Sequence, residues 1–99
     1  MKAEQSHNVF RDLGFGRIEA ENLRIRSALM IILTEHIQRA GLTQKEAAET
    51  LGVTQPRISD LMRGKIDVFS IDTLIAMLSR AGVKTTIRVG KKKVARYLV

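Results

Sequence analysis

The sequence predicts a mainly α-helical domain of four to five helices followed by one C-terminal strand. Apolar residues recur at helical spacing through most of residues 17–82, and Gly41, Gly52, Gly64 and Gly82 stand where the successive periodic runs stop. From Val83 the period changes to two. The implied organisation is an N-terminal arm over 1–16, a helical domain over 17–82, a strand over 83–90 and a basic tail over 91–99.

In the arm, the first eight residues are polar, and Val9, Phe10, Leu13 and Phe15 then form a small apolar cluster broken by Gly14 and Gly16. The first helix runs from about Arg17 to Ala40, with Ile25, Ala28, Leu29, Ile32, Leu33, Ile37 and Ala40 as its stripe. Met30 and Ile31 fall outside that stripe and make a second apolar patch, whose occupant is either the Phe10/Phe15 cluster or a second protein.

A second helix starts at Thr43, where Thr43 and Glu46 have the spacing of a capping box. Ala47, Ala48 and Leu51 give it a small-residue inner face, and Gly52 ends it. Thr54 caps a third, short helix, Pro56 fits its first turn, and Ile58 and Leu61 point inward before Gly64. Ser70 caps a fourth, with Ile71, Leu74, Ile75, Leu78 and Ala81 inward and Phe69 placed as a hydrophobic staple. Val83, Thr85, Ile87 and Val89 then alternate with Lys84, Thr86 and Arg88, as in a half-buried strand. A lone strand needs a partner, and the expected one is the same segment of a second copy, giving a homodimer through residues 83–89.

The 99 residues carry a formal net charge of +7, and its placement is uneven. Residues 1–53 hold seven Lys/Arg against seven Asp/Glu, whereas residues 54–99 hold ten against three. Such a field favours polyanions through counterion release, which makes nucleic acid the leading partner and an anionic membrane surface the weaker one. No run approaches the ~20 apolar residues of a membrane span, and MKAEQSHNVF lacks a signal-peptide core, so a soluble, unexported chain is expected. The absence of cysteine excludes disulfides and thiolate metal sites, and fits a reducing cytoplasm.

Between Thr43 and Lys65, two short capped helices joined by Leu51-Gly52-Val53 have the spacing of a helix-turn-helix. Glycine permits the sharp turn, the alanines let the helices touch, and Val53, Ile58 and Leu61 lock the second helix so that its outer face protrudes. The run T-Q-K-E-A-A-E-T-L-G-V-T-Q-P-R-I-S-D-L-M-R-G-K resembles the motif of the Xre family of lambda-repressor-like and Cro-like domains. More narrowly, the V-F-R-D-L-G-F segment, the long first helix, the F-S-I-D-T-L helix and the terminal strand resemble HigA-like antitoxins of bacterial toxin–antitoxin modules.

These resemblances imply a lambda-repressor-like DNA-binding domain whose third helix reads the major groove of a roughly palindromic operator. Gln55, Pro56, Arg57, Ser59 and Asp60 would meet base edges: Gln55 an adenine, Arg57 a guanine bidentately, Asp60 a cytosine amine unless it orients Arg57, and Ser59 a secondary contact. Several family members carry a second amide where this chain has Pro56, which offers only apolar contact, for instance to a thymine methyl. Gln44, Thr54, Arg63 and Lys65 would hold phosphates. The implied role is a transcriptional regulator, either an antitoxin that binds a toxin protein and represses their shared operon or a stand-alone repressor.

Catalysis has little support. His7 and His36 are the only histidines and neither belongs to a metal motif; His36 beside Ile37 suits the edge of the core. Gly14-Phe15-Gly16 lacks the third glycine of a dinucleotide fingerprint, where Glu19 stands. No enzyme activity, cofactor or metal is expected.

Overall fold

The computed structural model describes residues 16–94; the Val9–Phe15 cluster and the last five residues of the basic tail lie outside the described residues. Helix α1 spans Arg17–Ala40, α2 Gln44–Leu51 and α3 Gln55–Met62. A single 3₁₀ turn, Ile66–Val68, leads into α4, Ile71–Arg80, and a hairpin of β1, Arg88–Val89, and β2, Lys92–Lys93, follows. This is the mainly helical architecture expected from the periodicity.

The caps explain why the chain folds in these short units. At α2 the box is complete: the Thr43 hydroxyl accepts from the Glu46 amide at 3.1 Å, and the Glu46 carboxylate accepts from the Thr43 amide at 2.9 Å. Thr54 and Ser70 each accept one free amide at the starts of α3 and α4, at 3.4 and 3.1 Å. Each such cap stabilises its helix by about 1 kcal/mol, a large share for helices of eight to ten residues that are marginal in isolation. At the end of α3, Gly64 takes a φ of 71°, and the Lys65 amide reaches back to the Asp60 carbonyl at 2.9 Å. That closure turns the chain sharply towards the 3₁₀ turn.

One core joins the four helices. Leu33 and Ile37 of α1 meet Ala47, Ala48 and Leu51 of α2, Ile58 and Leu61 of α3, and Phe69, Leu74, Met77 and Leu78 at and within α4. Phe69 is the largest side chain in it, and no polar side chain is buried with it among the described residues. Met77, absent from the expected stripe of α4, belongs to this core, while Ile71, Ile75 and Ala81 lie half-buried at its margin.

The phase of α1 differs from expectation. Met30, at 5% exposure, is core, whereas Ile32 at 45% and Ile31 at 56% face outward, and Ala28 and Ala40 are exposed. Met30 therefore does not belong to a second surface patch, although Ile31 does. Residues 28–33 form an unbroken apolar run, so periodicity alone cannot choose its inward face. Residues two apart on a helix point about 200° apart, and packing against α4 and the 3₁₀ turn selects Met30 over Ile32.

The strand also differs. Only Arg88 and Val89 form a ladder, antiparallel to Lys92 and Lys93 of the same chain, and residues 83–87 are not strand. One further bond, from the Val94 amide to the Ile87 carbonyl at 2.9 Å, extends the pairing. Gly90, with a φ of 63°, takes the first position of a two-residue turn, where a positive φ matches the twist of the two strands. The β1 ladder thus finds a partner within the chain itself, in lysines that read as a solvated tail. No helix among the described residues is long and apolar enough to cross a membrane.

Candidate nucleic-acid interface

Helices α2 and α3 cross through the buried Ala47 and Ala48 on one side and Ile58 and Leu61 on the other. The turn between them passes through Gly52 at a φ of 70°, a left-handed conformation that costs an L-residue about 1–2 kcal/mol. Because Ile58 and Leu61 are held inward, the opposite side of α3 must face out. Gln55 and Pro56 are exposed in its first turn, Arg57, Ser59 and Asp60 are half-buried along it, and Arg63 and Lys65 are exposed just beyond its end. Gln44 and Thr54 are exposed at the starts of α2 and α3. The nine side chains singled out in the sequence thus sit on the two helices and their ends, and none of them is buried.

Their mutual contacts refine the picture. Asp60 does not orient Arg57; its carboxylate accepts from the Arg63 guanidinium at 3.1 Å and lies 3.9 Å from the Lys65 ammonium. Arg63 also donates to the Ser59 carbonyl at 3.4 Å. These two cations are therefore held around one carboxylate at the C-terminal end of α3, where a helix dipole favours positive charge. Arg57 turns the other way. Its guanidinium donates to the Val68 carbonyl at 3.2 Å and lies 5.8 Å from the centroid of the Phe69 ring.

A second arginine, which the sequence did not single out, braces the same turn from the opposite element. Arg26 of α1 donates to the carbonyls of Ile66 at 3.0 Å and Phe69 at 3.4 Å, while Asn22 accepts from its Nε at 2.6 Å. The chain between α3 and α4 thus has its carbonyls held by two guanidinium groups. This fixes the exit of α3 relative to the Ser70 cap, and no local pattern signals a partner 40 residues away. Arg80 was missed for the same reason: its side chain lies over the α2–α3 turn, where a Cβ on Gly52 would fall 2.6 Å from its Nε. Among ionisable groups, the Glu21 carboxyl is held below its ordinary value by a hydrogen bond from Arg24, on the exposed side of α1 and away from this pair of helices.

Among the described residues no group of three or more His, Asp or Glu side chains is placed to hold a metal, and His36 is half-buried at the core edge. The arrangement offers amides, a hydroxyl and cations on a protruding helix, which is chemistry for recognition. The helix-turn-helix domain family matches the chain over residues 9–90. The chain belongs to that family. A solved structure assigned to the XRE family of transcriptional regulators is similar to this helix-turn-helix protein at 34% identity and a TM-score of 0.69, over 74% of this chain and 82% of that one. No curated protein matches it. As a member of this family, the helix-turn-helix protein is a DNA-binding transcriptional regulator and not an enzyme.

Proposed function

We propose that this helix-turn-helix regulator binds a roughly palindromic operator as a homodimer, works in the cytoplasm, and represses its own operon as the antitoxin of a toxin–antitoxin module. The observation that carries the DNA-binding geometry is the exposed first turn of α3, with Gln55 and Pro56 turned to solvent and Arg63 and Lys65 flanking its far end. In this reading, Gln55 pairs with an adenine, Pro56 packs on a thymine methyl, Asp60 accepts from a cytosine amine and Ser59 adds a secondary contact. Arg57 reaches a guanine by exchanging the Val68 carbonyl for O6 and N7. Gln44, Thr54, Arg63 and Lys65 grip phosphates, and two copies of α3 enter major grooves about 34 Å apart.

Dimerisation through residues 83–89 is supported by Ile87 and Val89, which are 46% and 68% exposed. The antitoxin role is supported by the resemblance of V-F-R-D-L-G-F and F-S-I-D-T-L to HigA-like antitoxins. Footprinting on the region upstream of the protein's own gene, across a salt series, tests the operator reading. A protected palindrome supports it, and equal affinity for unrelated duplexes overturns it. A neighbouring reading frame whose product co-purifies with the protein supports the antitoxin role; an isolated gene leaves the stand-alone repressor.

A further inference from the structure

The hairpin that completes the strand ladder is electrostatically unusual. No acidic residue follows Asp72 in the sequence, and between Asp72 and Val94 the chain carries Arg80, Lys84, Arg88, Lys91, Lys92 and Lys93. Among the described residues, every ion pair involves Arg24, Arg39, Arg63 or Lys65, so none neutralises the hairpin. The register places Arg88 directly opposite Lys93. Like charges facing each other across an antiparallel pair are destabilising, and a ladder of two residues per strand is marginal in water to begin with. A multivalent anion laid against this pair would turn the repulsion into attraction.

Strand alternation separates the hairpin into two faces. Ile87, Val89, Lys92 and Val94 share one, and Arg88 and Lys93 share the other, with Lys91 at the turn. The apolar face is thus available to a second copy while the cationic face remains free. The hairpin is tethered to the DNA-binding motif through α4. Arg80, the last residue of α4, lies over Gly52 in the α2–α3 turn. Only residues 81–87 separate it from β1, a reach of at most about 29 Å.

We infer that the Arg88–Lys93 hairpin is a second DNA-contacting element, in which Arg88, Lys91 and Lys93 hold backbone phosphates flanking the base pairs that α3 reads. Its contribution is independent of sequence: it adds affinity and salt dependence and leaves the choice of operator to α3.

The test is the triple variant Arg88→Gln, Lys91→Gln and Lys93→Gln in the full chain. All three side chains are exposed, and glutamine removes the charge while keeping a polar, solvated side chain. The dissociation constant is measured on an operator duplex and on an unrelated duplex between about 50 and 200 mM salt. Each lost phosphate contact lowers the slope of log K against log salt by about 0.9, so three lower it by about 2.7 per bound protomer. Over that fourfold range the variant then loses about 40-fold less affinity per protomer than the parent chain. The reduction is expected on both duplexes, with their affinity ratio unchanged. An unchanged slope overturns the inference, as does a slope change accompanied by loss of the dimer in gel filtration, which would make the hairpin an assembly element. Because the unrelated duplex is measured too, the hairpin is judged even if the operator reading fails.

Discussion

Replacing Arg57 with alanine separates two contributions that the same side chain makes in two states. In the free protein, Arg57→Ala removes the hydrogen bond to the Val68 carbonyl and the stacking on Phe69. The first contributes about 0.5–1.5 kcal/mol net and the second about 0.5–1 kcal/mol at a partly exposed site, so a loss of about 1–2.5 kcal/mol is expected. Phe69 is otherwise packed by the core and Arg26 still holds its carbonyl, so the turn loosens without unfolding. For a domain of this size that corresponds to a fall in Tm of about 4–20 °C, read by thermal denaturation without DNA. On the operator, the same substitution costs a further ~1–3 kcal/mol and relaxes preference at a single base-pair position, read with duplexes carrying each substitution in turn. If Tm falls while preference is unchanged at every position, Arg57 is a brace of the α3–α4 connection and not a reader of bases. If Tm is unaltered, the Val68 and Phe69 contacts contribute nothing to the free protein.

Three further outcomes follow from the same geometry. Lys65→Ala loses only an exposed 3.9 Å pairing with Asp60, so stability changes by less than about 1 kcal/mol. Its affinity falls alike for all duplexes, with a salt slope smaller by about 1; a sequence-dependent loss would place Lys65 at a base. Gly52→Ala costs about 1–2 kcal/mol in chemical denaturation because its φ is 70°, and pairing it with Arg80→Ala restores little, since the flexible guanidinium can move away; full restoration would show that the clash and not the backbone is at fault. Leu33→Ala, at a fully buried position where α1 joins the core, costs about 2–5 kcal/mol and unfolds much of the population at 37 °C; a cost under 1 kcal/mol would contradict the packing of α1.

The connection between α3 and α4 shows how stability and recognition are coupled here. Phe69 anchors the turn in the core, Arg26 and Arg57 take its carbonyls from two sides, and Ser70 then starts α4. The orientation of α3 is therefore set at both ends: by the Gly52 turn and by this braced exit. A recognition helix of eight residues has too little intrinsic stability to hold its own direction, so its aim depends on those two ends.

The local elements were legible in the sequence because their causes are local. Capping hydroxyls at Thr43, Thr54 and Ser70, stops at Gly41, Gly52 and Gly64, and alanines where helices cross act over three or four residues, and each appears where it was read. The motif between Thr43 and Lys65, with the outward placement of Gln55 and Pro56, follows from the same short-range rules. Other features depended on distant parts of the chain. An apolar run such as residues 28–33 has no preferred phase until α4 and the 3₁₀ turn cover one side, which is why Met30 is core and Ile32 is not. The β1 partner is a pair of lysines whose charge argues against a strand, and only the backbone reversal at Gly90 brings them into register. Arg57 could be placed on the outer face of α3 from spacing, but its contact with Val68 and Phe69 exists only because tertiary packing brings that turn alongside. Sequence spacing specifies which way a backbone turns; which flexible cation meets which carbonyl is settled only when separate elements share a core.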